Sequence, residues 1–206
     1  MKENGKKIGI MGGTFDPVHF GHLIVAEAVR EEFQLNRVLF IPVGQPPHKD
    51  NLRVSSPEDR YTMLTEAVKS NSSFQVSRIE IDREGYTYTV DTLSQLKAAL
   101  EPDAKLFFII GADVIHDLMA WKNFQEVFLL CEFIAVFRPG FDKNGFDGEI
   151  ERLRNRYMAK IHTVEVPLID ISSTGIRKRV QEGKSVKYLV PENVELIISK
   201  KGLYLY

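Results

Sequence analysis

Residues 106–110 read Leu-Phe-Phe-Ile-Ile, apolar at every position. A strand with one wet face alternates polar and apolar side chains, so an unbroken run this short fits a strand covered on both faces. Comparable runs give expected strands at Lys7 to Met11, Arg37 to Val43, Phe74 to Ile81, Lys105 to Ile110, Glu132 to Phe137 and Ile161 to Val166. Segments with helical spacing separate them, at Gly21 to Phe33, Pro57 to Ser70, Thr89 to Leu100, Phe124 to Leu130, Asp147 to Ala159, Ser173 to Glu182 and Pro191 to Lys200. Strand-helix alternation of this regularity points to an α/β domain: a doubly wound, mostly parallel sheet with helices on both faces.

End signals support several of these helices. Ser56-Pro57-Glu58-Asp59 supplies a capping hydroxyl, a proline at the first helical position and acids in the first turn. The last helix opens at Pro191 and runs into Gly202, with Lys200 and Lys201 near its negative end. At 206 residues and 44% hydrophobic the chain is expected to be one domain, 1–206. Two long loops are expected, around Gln45 to Ser56 and Arg138 to Gly148.

Charge and cysteine content exclude several functions. The 27 basic and 28 acidic side chains nearly cancel, so no global field draws the chain to nucleic acid or to an anionic membrane. Cys131 is the only cysteine, which fits a reducing compartment, and the cytoplasm is the expected location. No apolar stretch approaches the roughly 20 residues that span a bilayer. The sequence leaves a homo-oligomer open.

Gly-Gly-Thr-Phe-Asp-Pro-Val-His-Phe-Gly-His, residues 12–22, stands where the first strand meets the first helix. In an open parallel sheet, ligands sit beyond the carboxyl ends of the strands and helix-start amides receive anions. Gly12 and Gly13 are expected to let the backbone turn sharply and approach a phosphate, with Thr14 and Phe15 offering amides. Asp16-Pro17 fixes an extended step. His19 and His22, three apart, share a helix face and can reach one anion. The same spacing is compatible with solvent-exposed histidines or half of a zinc site, but His48, His116 and His162 are too scattered to nominate a third ligand, so no side-chain metal site is expected.

This stretch resembles the signature of the nucleotidyltransferase superfamily, whose His-x-Gly-His element matches His19-Phe20-Gly21-His22. That superfamily's second element, Ile-Ser-Ser-Thr-x-Ile-Arg, matches residues 171–177, Ile-Ser-Ser-Thr-Gly-Ile-Arg. Read without the resemblance, Ser172 and Ser173 are helix caps, Thr174 follows, and Arg177 one turn in can face a phosphate mouth. The middle of the chain narrows the likeness. Residues 111–122, with Pro46-Pro47-His48-Lys49, Tyr88-Thr89-Val90-Asp91-Thr92-Leu93 and Arg138-Pro139-Gly140, are similar to the bacterial nicotinate mononucleotide adenylyltransferases.

That resemblance implies a Rossmann-like sheet and transfer of the adenylyl group of ATP to nicotinate mononucleotide, as in NAD biosynthesis. It implies that Trp121 stacks on the pyridine ring, that Tyr88 and Thr89 help hold the nicotinate carboxylate, that Gly111 and Asp113 lie at the nucleotide site, and that Lys49 contacts phosphate. It further implies catalytic roles for His19, His22 and Arg177, with magnesium carried by the ATP. Two positions depart from the family pattern: Val18 replaces a common proline, and Tyr86-Thr87 stands where Pro-Ser is frequent. Burial habits alone would place a lone tryptophan such as Trp121 in the core, and Asp113 could simply cap a short helix. Within the superfamily a phosphopantetheine adenylyltransferase is the nearest alternative, and a non-catalytic nucleotide sensor is the alternative of a different class. A dinucleotide oxidoreductase is disfavoured, because the Gly-x-Gly-x-x-Gly spacing is absent.

Overall fold

The computed structural model describes residues 5–45, 54–137, 144–167 and 170–205. Six parallel strands form one sheet: β1 (Lys7–Gly13), β2 (Arg37–Pro42), β3 (Phe74–Val76), β4 (Lys105–Gly111), β5 (Glu132–Phe137) and β6 (Ile161–Glu165), in the order β3-β2-β1-β4-β5-β6. The helices are α1 (Phe20–Glu32), α2 (Pro57–Val68), α3 (Thr89–Ala99), α4 (Phe124–Leu130), α5 (Asn144–Tyr157), α6 (Ser173–Gln181) and α7 (Glu192–Lys201), with a 3-10 helix at Ala112–Ala120. This is the doubly wound sheet expected from the sequence. Among the described residues no helix is long and apolar enough to cross a membrane.

The apolar strands feed two cores at once. Met11, Phe40, Phe107, Ile109, Ile134 and Val136 pack on one face beneath α1, α2, α6 and α7. Their neighbours Ile10, Ile41, Phe108, Ile110, Phe133 and Ala135 pack on the other beneath α3, α4, α5 and the 3-10 helix. Side chains alternate between faces, so both faces must be covered for every residue of such a run to leave water.

Two strand boundaries differ from expectation for identifiable reasons. β1 continues through Gly12 and Gly13, which pair with Ile41 and Pro42 of β2, and the turn falls at Phe15, whose φ is 51°. The glycines therefore extend the strand instead of breaking it. β3 stops at Val76, whereas a strand to Ile81 was expected. Glu80 is buried there and its carboxylate accepts from the Thr92 hydroxyl at 2.8 Å, tying residues 77–81 to the start of α3. Burial raises the pKa of this carboxyl.

The helix caps match their sequence signals. Ser56 Oγ accepts from the Asp59 amide at 3.1 Å, with Pro57 as the first residue of α2. Gly202 closes α7 at a φ of 60°, a left-handed conformation that favours glycine.

Arg60 of α2 links the loops at the carboxyl edge of the sheet. Its side chain is 1% exposed and donates to four backbone carbonyls: Thr14 at 2.9 Å, Val43 at 2.7 Å, Gly44 at 3.3 Å and Ser55 at 3.1 Å. One guanidinium thus joins the exits of β1 and β2 to the entrance of α2. Burial lowers the Arg60 pKa, and the nearby Asp16 carboxylate opposes that shift. Arg60→Leu is expected to destabilise the fold by about 3 kcal/mol, because it strands buried carbonyls and leaves the Asp16 charge without its cation. Thermal denaturation should then show Tm lower by about 6–12 °C, and an unchanged Tm would contradict the clamp.

Candidate active site

A cleft of about 860 Å³ opens at the carboxyl ends of β1 and β4. These neighbouring strands are where the strand order reverses direction, the position at which open parallel sheets bind ligands. Its walls include Met11 and Gly12 of β1, His19, Gly21 and His22 at the start of α1, Gly111, Ala112 and Asp113 after β4, and Ile171, Ser172 and Ser173 at the start of α6.

His19 is the residue before α1 and His22 lies in its first turn. Their rings stack with centroids 3.7 Å apart. Gly21 permits this, since a Cβ there would lie 2.9 Å from His19 Nδ1. The His19 amide donates to His22 Nδ1 at 3.3 Å, so in the neutral ring the proton resides on Nε2, a hydrogen-bond donor. Buried His19 Nδ1 has no hydrogen-bond partner among the described residues, an atom that a ligand in the cleft could satisfy. Burial lowers the pKa of His19 to about 4, and burial together with the neighbouring His19 lowers that of His22 to about 3. Both imidazoles are therefore neutral at pH 7, and each neutral ring carries one N–H donor.

The second motif meets the first directly. Ser172 Oγ accepts from the Gly175 amide at 3.1 Å and caps α6. Ser173 Oγ donates to the Pro17 carbonyl at 2.8 Å. Arg177 donates to the Asp16 carbonyl at 2.7 Å and to Thr174 Oγ1 at 3.2 Å. The imidazoles and the guanidinium therefore belong to one edge of the sheet. Arg177, Thr174, Gly13, Thr14 and Phe15 are not among the residues that line the cleft. Phe15 is 2% exposed, and its ring packs edge-on to His22 at 5.0 Å. Lys49 and its Pro46–Lys49 segment, like Arg138-Pro139-Gly140, lie outside the described residues.

Tyr88 and Trp121 pack against the core beneath α3, α4 and α5, and Thr89 begins α3; none of the three lines the cleft. Trp121 is half-buried, with the rings of Phe108 and Phe133 5.7 and 6.3 Å from its own. Lys122 joins it to the other pair, with its ammonium 4.1 Å from the centroid of the Tyr88 ring and 3.5 Å from the Asp91 carboxylate. Tyr88 precedes α3 and Thr89 begins it, and no side chain caps that helix start. Asp113 is exposed in the first turn of the 3-10 helix, against Gly111, where a Cβ would come within 2.4 Å of its carboxylate. Sequence reasoning missed Arg60, Ser55 and Tyr204 as supports of this edge. Tyr204 donates to Asp16 Oδ1 at 2.7 Å and the Ser55 amide to Asp16 Oδ2 at 3.3 Å.

Depressed histidine pKa values make stability depend on pH. The unfolded chain takes up these protons near 6.5, whereas the folded chain resists until about 4 and about 3. Between those limits the unfolded state binds more protons, so stability falls as pH drops from 6.5. His22→Asn is expected to flatten the slope of Tm against pH between about 4.5 and 7, and a slope equal to that of the parent would contradict the assignment.

Comparison with known proteins follows the same lines. Residues 10–179 match the Cytidylyltransferase-like family. The chain is 52% identical over 199 residues to a relative from Desulfitobacterium hafniense (strain Y51), covering 97% of this chain and 96% of that one. It is 48% identical over 202 residues to one from Thermoanaerobacter sp. (strain X514), covering 98% and 96%. Both carry the name "Probable nicotinate-nucleotide adenylyltransferase". The fold matches Plasmodium falciparum nicotinic acid mononucleotide adenylyltransferase in its complexes with NaAD and with APC, at TM-scores of 0.79 and 0.78, 21% identity and 97% coverage of each chain.

Proposed function

This chain belongs to the nicotinate-nucleotide adenylyltransferase family, and from that premise we propose that its cleft joins ATP to nicotinate mononucleotide, giving nicotinate adenine dinucleotide and pyrophosphate. The observation that carries the assignment of residues is the meeting of the two motifs, with Arg177 on the Asp16 carbonyl and Ser173 on the Pro17 carbonyl beside the paired histidines. The reaction fits one domain, 1–206, working in the cytoplasm, a location supported by its single buried cysteine.

The phosphate of nicotinate mononucleotide is the nucleophile. Its second pKa is about 6, so it is already an anion at neutral pH and needs no general base. Asp16 fits that requirement, because its carboxylate is 2% exposed and engaged by Tyr204 and Ser55. The chain's task is to hold two polyanions in line while charge shifts toward the leaving pyrophosphate. His22, through Nε2–H, and the neutral His19 ring donate to the α-phosphate and the bridging oxygen. Gly12 allows close approach at the cleft wall. The backbone at Gly13, Thr14 and Phe15, the α6 start at Ser172, Ser173 and Thr174, and Lys49 contribute to phosphate binding. Gly111 and Asp113 serve the ribose side of the nucleotide. Arg177 supplies the fixed charge and grips the β- and γ-phosphates through its fork.

Among the described residues no three His, Cys, Asp or Glu side chains converge to hold a metal ion. With few carboxylates at the cleft, the donor set suits a magnesium ion that arrives on the triphosphate and keeps phosphate and water ligands. That ion supplies neutralisation of phosphate charge. Trp121 offers its ring to the pyridine, and the uncapped start of α3 at Tyr88 and Thr89 offers amides to the nicotinate carboxylate.

Pyrophosphate release should accompany ATP with nicotinate mononucleotide and be absent with 4′-phosphopantetheine; ATP binding without release would identify a sensor instead. His22→Ala is expected to lower turnover by at least about two orders of magnitude while ATP affinity stays within several-fold. Turnover near that of the parent would refute its role. Catalytic efficiency should favour the acid mononucleotide over the amide, since an amide group leaves donors mismatched. Equal efficiencies would exclude the α3 start as the carboxylate site.

A further inference from the structure

Arg177 is held by a backbone carbonyl of the first motif, which raises the question of what holds that carbonyl. The residue that provides it, Asp16, is 2% exposed, and both of its carboxylate oxygens are occupied: Oδ1 by the Tyr204 hydroxyl at 2.7 Å and Oδ2 by the Ser55 amide at 3.3 Å. Tyr204 lies 188 residues further along the chain, beyond the Gly202 cap of α7. It is 3% exposed and sits in the core shared by α1, α2, α6 and α7. It is absent from the cleft wall, and the hydrogen bond it makes to the first motif is the one to Asp16.

We propose that Tyr204 is a positioning residue for adenylyl transfer, acting through Asp16 to aim Arg177. The inference rests on the phosphate role of Arg177 proposed above. Asp16 has two outputs from one peptide unit. Its side chain anchors the loop after Phe15, and its carbonyl accepts from the Arg177 guanidinium. A charge-assisted bond to a phenol is short and directional, while the amide bond on the other oxygen is long, so Tyr204 is the stronger of the two grips. Removing its hydroxyl leaves a buried carboxylate with one weak donor, a state relieved by moving toward water. That movement carries the Asp16 carbonyl, and with it the guanidinium.

Tyr204→Phe deletes a single oxygen and keeps the ring in the core. With pyrophosphate release as the readout, kcat is expected to fall about tenfold, in the range that small misplacements cost. KM for ATP should rise no more than about threefold and KM for nicotinate mononucleotide should not change, since the pyridine end is held in the layer of Trp121 and α3. A general loosening of the fold would move both KM values. The decisive arm is the same substitution in an Arg177→Ala background, where it should change kcat by less than about twofold because its target is gone. Asp16→Asn, which keeps an oxygen for Tyr204 but weakens the acceptor, provides a second variant and should give an intermediate loss of kcat.

The outcomes separate cleanly. A parent protein that releases no pyrophosphate removes the functional reading itself. An active parent with Tyr204→Phe at full kcat, or a tenfold loss that persists undiminished without Arg177, overturns the positioning role alone. Should Tyr204→Phe fail to fold, Asp16→Asn with parental kcat overturns it equally.

Discussion

The bond from Arg177 to the Asp16 carbonyl spans 161 positions of sequence and 2.7 Å of space. On it depends the existence of one site instead of two unrelated loops. With the Ser173 hydroxyl on Pro17, it draws the start of α6 against the exit of β1. The sheet order makes this possible: β1 and β4 are neighbours with their crossovers running to opposite sides, so a cleft opens between their carboxyl ends. Arg60 and Tyr204 then hold the β1 exit from behind, one through carbonyls and the other through a carboxylate.

The electrostatics divide the chemistry between groups of different kinds. Burial lowers the pKa of both stacked imidazoles well below neutrality, and His19 lowers that of His22 further. A neutral imidazole with its proton on Nε2 still donates a hydrogen bond, and it can follow the redistribution of phosphate charge without titrating. The formal positive charge beside the imidazoles is that of the Arg177 guanidinium. Helix-start amides add partial charge at α1 and α6.

Legibility in the sequence followed the range of the interactions involved. The strands at 105–110 and 132–137 were readable because a run buried on both faces must be apolar throughout, and the caps at Ser56 and Gly202 because a cap is satisfied within four residues. The two motifs were readable through their resemblance to a superfamily's signatures, and the structure joins them through Ser173 and Arg177. Residues 77–81 misled because Ser-Arg-Ile-Glu-Ile alternates like a strand, while its course is decided by a buried Glu80 whose partner, Thr92, belongs to another element. Arg60 looks like one more charge in a polar first turn. Its partners are backbone carbonyls of the β1, β2 and α2 loops, and carbonyls carry no sequence signal. Tyr204 reads as a tail residue because its partner, the Asp16 carboxylate, lies 188 positions away in the sequence. Gly12 lines the cleft, while the turn expected at the Gly12-Gly13 pair is made by Phe15 at positive φ.

The central claim is that one triphosphate is held between the histidine pair and Arg177. A crystal structure of the protein with magnesium and a non-hydrolysable ATP analogue tests it most directly. The account predicts the α-phosphate within hydrogen-bonding distance of an imidazole Nε2 and the outer phosphates on the Arg177 guanidinium. A triphosphate seated elsewhere, with Arg177 still turned to Asp16 and touching no phosphate, would contradict it.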